Sequence, residues 1–149
     1  MNDDTATPHI AAFTIFRKDD KIALLLRKNT PWMSGYYGLP AGKVEKGEAF
    51  IGAAIREAKE ETGADLQPEN LKHALTLHRK ADNGTWVDVL FEVHDWQGKL
   101  INAEPHKHEE LRWFALNDFP ANTIPVTKYY FEQMALGHTY AEYGWEDNQ

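Results

Sequence analysis

Gly42-Lys43-Val44-Glu45-Lys46-Gly47-Glu48, followed after seven residues by Arg56-Glu57-Ala58-Lys59-Glu60-Glu61-Thr62-Gly63-Ala64, decides how the rest of this sequence is read. Residues 49–62 contain no Pro and a single Gly, and Gly63 stands just past the last periodic position, where a glycine commonly ends a helix. The spacing predicts a helix over 49–62. At about 100° per residue, Ile51, Ile55, Ala58 and Thr62 fall on one face. Glu57, Glu60 and Glu61 stand at i, i+3 and i+4, so their carboxylates line a second face turned away from that stripe. Like charges so placed repel by only a few tenths of a kcal/mol per pair in water. On residues alone two readings stay open: a solvated acidic face, or a site where a hard divalent cation neutralises oxygen ligands.

Upstream, residues 9–16 and 21–27 are rich in Ile, Leu and Phe and are separated by Arg17-Lys18-Asp19-Asp20, which predicts a β-hairpin. Pro31, Gly35, Gly38, Pro40 and Gly42 make 29–42 an irregular loop that leads into the helix. Downstream, Asp82-Asn83-Gly84 sits between predicted strands at 71–80 and 85–94, with Val87, Val89, Phe91 and Val93 alternating along one face. A short strand at 111–115 and a helix at 126–136, entered through Pro125, complete the pattern. Strands and helices mix without regular βαβ alternation, which points to the α+β class.

The chain has 149 residues, 42% hydrophobic and 26% charged, which suits a single domain over 1–149, with 1–8 expected to be flexible. A net charge of -7 argues against a nucleic acid polymer as partner, since affinity for such polyanions comes from many Lys and Arg contacts. The absence of cysteine excludes disulfides and thiol chemistry and fits a reducing compartment, so a cytoplasmic location is expected. No secretory signal pattern opens the chain, and no apolar run approaches the roughly 20 residues a membrane span needs.

The Gly42 to Ala64 run resembles a complete Nudix box. The pattern is Gly, five residues, Glu, seven residues, Arg-Glu, an apolar residue, any residue, Glu-Glu, any residue, Gly and an apolar residue, and every fixed position is filled. With residue frequencies of about 5–7%, seven fixed positions coincide by chance in fewer than about one in 10⁷ placements. Ala58 and Ala64 are small where the family often has larger aliphatics, and Ala41 stands where Gly is common. The resemblance implies a Nudix-like α/β/α sandwich with a mixed central sheet, carrying the box helix and a C-terminal helix. It also implies a pyrophosphohydrolase using Mg²⁺, with Mn²⁺ as a substitute. Glu57, Glu60, Glu61 and the Gly42 carbonyl become the expected metal ligands. Glu57, Glu60 and Arg56 are the expected catalytic groups, with Glu57 first choice as proton acceptor. Glu48 is expected to pair with Arg56 and hold the loop to the helix.

Outside the box, Glu104-Pro105-His106-Lys107-His108-Glu109-Glu110 precedes the predicted strand at 111–115, where similar proteins often add a Glu near the metal or the base. Glu104 is the candidate fifth ligand and Glu109 a candidate substrate contact, although a solvated loop fits either equally well. A zinc site from His106 and His108 lacks further ligands at the usual spacing. Arg27, ending the second predicted strand, can offer bidentate hydrogen bonds to a phosphate. Among Phe13, Tyr36, Tyr37, Trp86 and Phe91 a base-stacking partner is conceivable, but aromatics on strands more often pack the core. The expected substrate is a small nucleoside diphosphate-linked molecule, a nucleoside triphosphate first, bound by a monomer or homodimer without a membrane. Nucleotide sugars and other diphosphate conjugates form the alternative substrates, and a non-catalytic nucleotide sensor the alternative class.

Overall fold

The alternating strands close into one eight-stranded sheet in the computed structural model, which describes residues 3–145. The strands are β1 (His9–Lys18), β2 (Lys21–Arg27), β3 (Tyr37–Gly38), β4 (Ala41–Lys43), β5 (Leu71–Ala81), β6 (Gly84–Val93), β7 (His108–Ala115) and β8 (Tyr140–Tyr143). The main path runs β3-β2-β1-β6-β5-β8, with β4 added to β1 and β7 to β2. The helices are α1 (Phe50–Thr62) and α2 (Pro125–Ala135), with a 3-10 turn at Pro68–Asn70.

The sheet is covered on both faces, which is why its central strands carry apolar residues at consecutive positions. On one side, Ala53 and Ala54 of α1 pack with Ala12 and Phe91, and Ala58 with Phe16, Ala23 and Val93. On the other, Ile124, Val126 and Tyr130 pack over Ile15, Leu24, Leu75, Leu77 and Leu90. A carboxylate sunk fully into this second layer, Asp88, is satisfied by Arg79 (2.8 and 3.1 Å) and the Tyr130 hydroxyl (2.7 Å). The layers are those of an α/β/α sandwich with a mixed sheet, as the box implied. No helix among the described residues is long and apolar enough to cross a membrane.

Four expectations change, the first being that the irregular loop read over 29–42 carries β3 and the start of β4, which pair with β2 and β1. The β1–β2 hairpin is real but touches only at its tip, Arg17↔Ile22 and Lys18↔Lys21, so its turn shrinks to Asp19-Asp20 with Asp19 at φ 58. Beyond that tip β1 runs parallel to β6 from His9 to Phe16, while β2 pairs with β7. The apolar stripe of α1 is also rotated: Ala53, Ala54, Ala58, Glu61 and Thr62 are buried, while Ile51 is exposed and Ile55 only partly covered. Alanines win over isoleucine because they let the helix lie close against Ala12 of the central strand, where a longer side chain would overpack. Finally, β8 joins β5 in parallel at the sheet edge, after α2, where no strand was expected.

Candidate functional site

The site grows from β4, whose three residues pair with Ala11, Ala12 and Phe13 of β1. Alternation along this strand turns Gly42 toward α1. A Cβ on Gly42 would overlap the Glu57 carboxyl, so the missing side chain is what lets Glu57 lie against the backbone. One residue earlier, the Ala41 N–H donates to Glu61 Oε1 at 2.7 Å.

The far end of α1 supplies the next member. Its last carbonyls are met by an incoming segment, with Ile101 N–H donating to Thr62 O and Ala103 N–H to Glu61 O, both at 3.0 Å. Gly63 ends the helix at φ 76, its N–H on Lys59 O. This stitching carries Glu104 to the carboxylates, where it acts electrostatically on both Glu57 and Glu61. The Glu104 side chain is 18% exposed and Lys107 stands 3.7 Å from it.

The three box carboxylates are therefore unequal, and the expectation that all of them lie on a face turned away from the packed side of the helix is corrected for Glu61. Glu61 is 7% exposed and the Glu57 side chain 17%, whereas Glu60 keeps 47%. The cause is the rotation of the helix, which brings its alanine row inward and Glu61 with it. Burial raises the Glu61 carboxyl well above its ordinary range. Glu57 and Glu104 push it further up, and the Ala41 N–H and Lys107 partly oppose them. Glu57 is raised too, first by burial, with Arg56 opposing and Glu60 and Glu104 reinforcing.

Arg56 ties this wall together. Its Nε donates to Glu48 Oε2 at 2.7 Å and one terminal nitrogen to Glu48 Oε1 at 3.0 Å and the Lys43 carbonyl at 3.2 Å. The other donates to Glu57 Oε1 at 2.7 Å. The loop-to-helix pairing expected of Glu48 and Arg56 is formed, and Arg56 also fixes Glu57. These bonds hold the Glu48 carboxyl down at about 2, through Arg56 first and then the Glu45 N–H.

Arg27 reaches the same region from β2. Burial lowers its guanidinium below the usual arginine value and the Glu61 charge opposes this, so the two groups sense one another. Glu109 does not join them. On β7 it alternates with buried His108, faces outward and meets Lys28 at 3.6 Å. His108 is lowered to about 4 by burial and by the charges of Arg27 and Lys107, and its Nδ1 has no hydrogen-bond partner. Among the described residues no three His, Cys, Asp or Glu side chains are gathered as a finished metal cage, and Glu57 is turned onto Arg56 instead. The donor set nonetheless fits a hard divalent cation. Carboxylates crowded together and partly dehydrated are relieved by positive charge, and the bare backbone at Gly42 lets the Glu57 carboxyl lie against it.

Sequence reasoning missed two features here. One is the 101–103 segment that delivers Glu104, which makes backbone hydrogen bonds and so leaves no side-chain signature. The other is Trp32, which lies on the loop beside Arg27.

A family model described as "NUDIX domain" matches residues 6–134. The crystal structure of a MutT NUDIX hydrolase from Burkholderia pseudomallei superposes with a TM-score of 0.77 at 32% identity, covering 85% of this chain and 98% of that one. An ADP-ribose pyrophosphatase of Methanocaldococcus jannaschii is 34% identical over 113 residues, 76% of this chain and 65% of the relative. The 8-oxo-dGDP phosphatase NUDT18 of Homo sapiens is 29% identical over 108 residues, 71% of this chain and 32% of that protein. The matches thus span less than two thirds of these curated relatives. With the fold, the intact run from Gly42 to Ala64 and a family match over most of its length, the chain belongs to the NUDIX domain family.

Proposed function

We propose that the chain hydrolyses a phosphoanhydride bond in a small nucleoside diphosphate-linked substrate, with a nucleoside triphosphate, cut to monophosphate and pyrophosphate, as the leading candidate. The observation that carries this reading is the Glu57 carboxyl lying on the bare backbone of Gly42, beside a buried Glu61 held by the Ala41 N–H, with Glu104 close enough for its charge to act on both. A wet helix face has no need of a buried carboxylate held by a backbone N–H, whereas a polyphosphate site that recruits cations does. The Glu104-Pro105-x-Lys107 stretch resembles that of small triphosphate-directed members of the family and favours a triphosphate. A diphosphate conjugate is the second reading, supported by the relative named for ADP-ribose.

Members of this family use divalent metal ions, and Glu57, Glu60, Glu61, Glu104 and the Gly42 carbonyl would hold Mg²⁺, with Mn²⁺ as a substitute. Such an ion, when bound, neutralises phosphate charge and makes water a better nucleophile at neutral pH. The protein groups do the rest. Arg56 orients Glu57 through the 2.7 Å bond and holds the box loop in place. Glu57 accepts the proton of a water whose oxygen bonds to phosphorus while the bridging P–O bond breaks and its electron pair leaves with the departing phosphate group. Arg27 binds a phosphate oxygen at the side facing Glu61.

The test incubates the protein with nucleoside triphosphates, nucleotide sugars, ADP-ribose and dinucleoside polyphosphates in Mg²⁺ or Mn²⁺ and identifies products by mass. Cleavage within the phosphate chain, abolished by excess chelator, is expected. Full turnover in chelator, or no cleavage of any phosphoanhydride, contradicts the proposal.

A further inference from the structure

Trp32 is 48% exposed, an unusual position for a large indole whose burial would be worth a few kcal/mol. Its placement is held by a built loop. Ser34 Oγ donates to Thr30 O at 2.7 Å and accepts from Thr30 N–H at 3.0 Å, and Thr30 Oγ1 donates to the Trp32 carbonyl at 2.9 Å. Met33 and Gly35 take left-handed backbone, φ 55 and 85, and the loop is closed by Gly35 N–H on Arg27 O and Arg27 N–H on Tyr36 O. Arg27 then fixes the residue twice, its Nε donating to the Trp32 carbonyl at 3.0 Å and its guanidinium carbon lying 5.3 Å from the indole centroid. Among the described residues no other aromatic ring packs on Trp32. Arg27 pairs with His108 across β2 and β7, Lys28 N–H donates to Lys107 O and Lys107 N–H to Glu104 O, both at 2.9 Å, so the indole stands on a loop anchored to the segment that carries Glu104, and the guanidinium beneath it feels the Glu61 charge.

Building on the phosphoanhydride reading above, we infer that Trp32 is the stacking platform for the substrate's nucleobase, so that Arg27 and Trp32 together bind the phosphate chain and the base of one nucleotide. The chemistry is general. Every base offers a π-face, and stacking on an indole tolerates purines and pyrimidines alike. Replacing the Trp32 side chain removes the ring contact but leaves Arg27 its hydrogen bond to the Trp32 carbonyl, so the effect on base and phosphate binding can be read separately.

The experiment is calorimetric titration, in Mg²⁺, of the wild type, Trp32→Phe and Trp32→Ala with α,β-methylene ATP, α,β-methylene UTP and the base-free probe methylenediphosphonate. Trp32→Ala is expected to weaken both nucleotide analogues by about tenfold or more, Trp32→Phe by no more than about threefold, and methylenediphosphonate binding to stay level in all three proteins. Undiminished nucleotide affinity in Trp32→Ala overturns the platform. So does an equal loss of methylenediphosphonate affinity, which would make Trp32 a support for the loop. Nucleotides binding the wild type no better than methylenediphosphonate also overturn it while leaving the phosphoanhydride reading intact, and a wild type that binds none of the three overturns both.

Discussion

Gly42→Ala is expected to cut hydrolysis by on the order of 10²–10³ while the protein melts close to the wild type, an effect comparable to deleting one preorganised electrostatic contact. The added methyl group lands on the Glu57 carboxyl and its Cγ. Those atoms are the free end of a flexible side chain, so Glu57 swings off Arg56 and the backbone stays where it is. Gly42 is not among the residues with left-handed backbone, so alanine fits its conformation. Gly52→Ala is the control. It sits in α1, the helix that carries Glu57, with open space around it, and should stabilise by about 0.5–1 kcal/mol without touching turnover. Wild-type turnover in Gly42→Ala, measured beside its melting curve, would remove Gly42 from the site.

Glu61→Gln should separate stability from activity in the opposite sense. Burial, Glu57 and Glu104 raise the Glu61 carboxyl well above 4.5, so the folded protein holds this proton more tightly than the unfolded chain does. The contribution to stability is then complete below that ordinary value and is lost as pH rises through the raised one. Glutamine carries no charge to dehydrate, and its amide oxygen can still accept the Ala41 N–H. Metal-free Glu61→Gln should therefore resist urea better than the wild type at pH 7–8 and lose that advantage toward pH 4, while its turnover falls by about 10²–10³. Parallel urea midpoints across that range would show that Glu61 is not under electrostatic strain.

The sequence marks the box, the helix stop at Gly63 and the Glu48–Arg56 tie, because each depends on residue types at fixed local spacings. It does not show which glutamate is buried. That depends on the rotation of α1, and hydrophobicity alone ranks Ile51 and Ile55 above Ala53 and Ala54, whereas the alanines are the side chains that pack with Ala12. The hairpin signal at Asp19-Asp20 is local and correct, but the long partners of β1 and β2 are distant in sequence and carry no turn to announce them. The edge strand β8 is four residues long and pairs with a strand some sixty positions earlier, as its register from Thr76↔Tyr140 to Arg79↔Tyr143 shows. Glu104 is readable as a candidate, yet its approach to Glu57 and Glu61 rests on the backbone bonds of Ile101 and Ala103. Glu109 has equal sequence credentials and is turned away by strand alternation alone.

Electron paramagnetic resonance of free Mn²⁺, titrated with the substrate-free wild type and with Glu57→Gln, tests the central claim most directly, because it asks what the acidic cluster binds without any assumption about the substrate. Binding by the wild type, weakened by at least about tenfold in Glu57→Gln, is the predicted result. Equal affinity in the two proteins, or none in either, would reduce Glu57, Glu61 and Glu104 to an acidic surface and contradict the account.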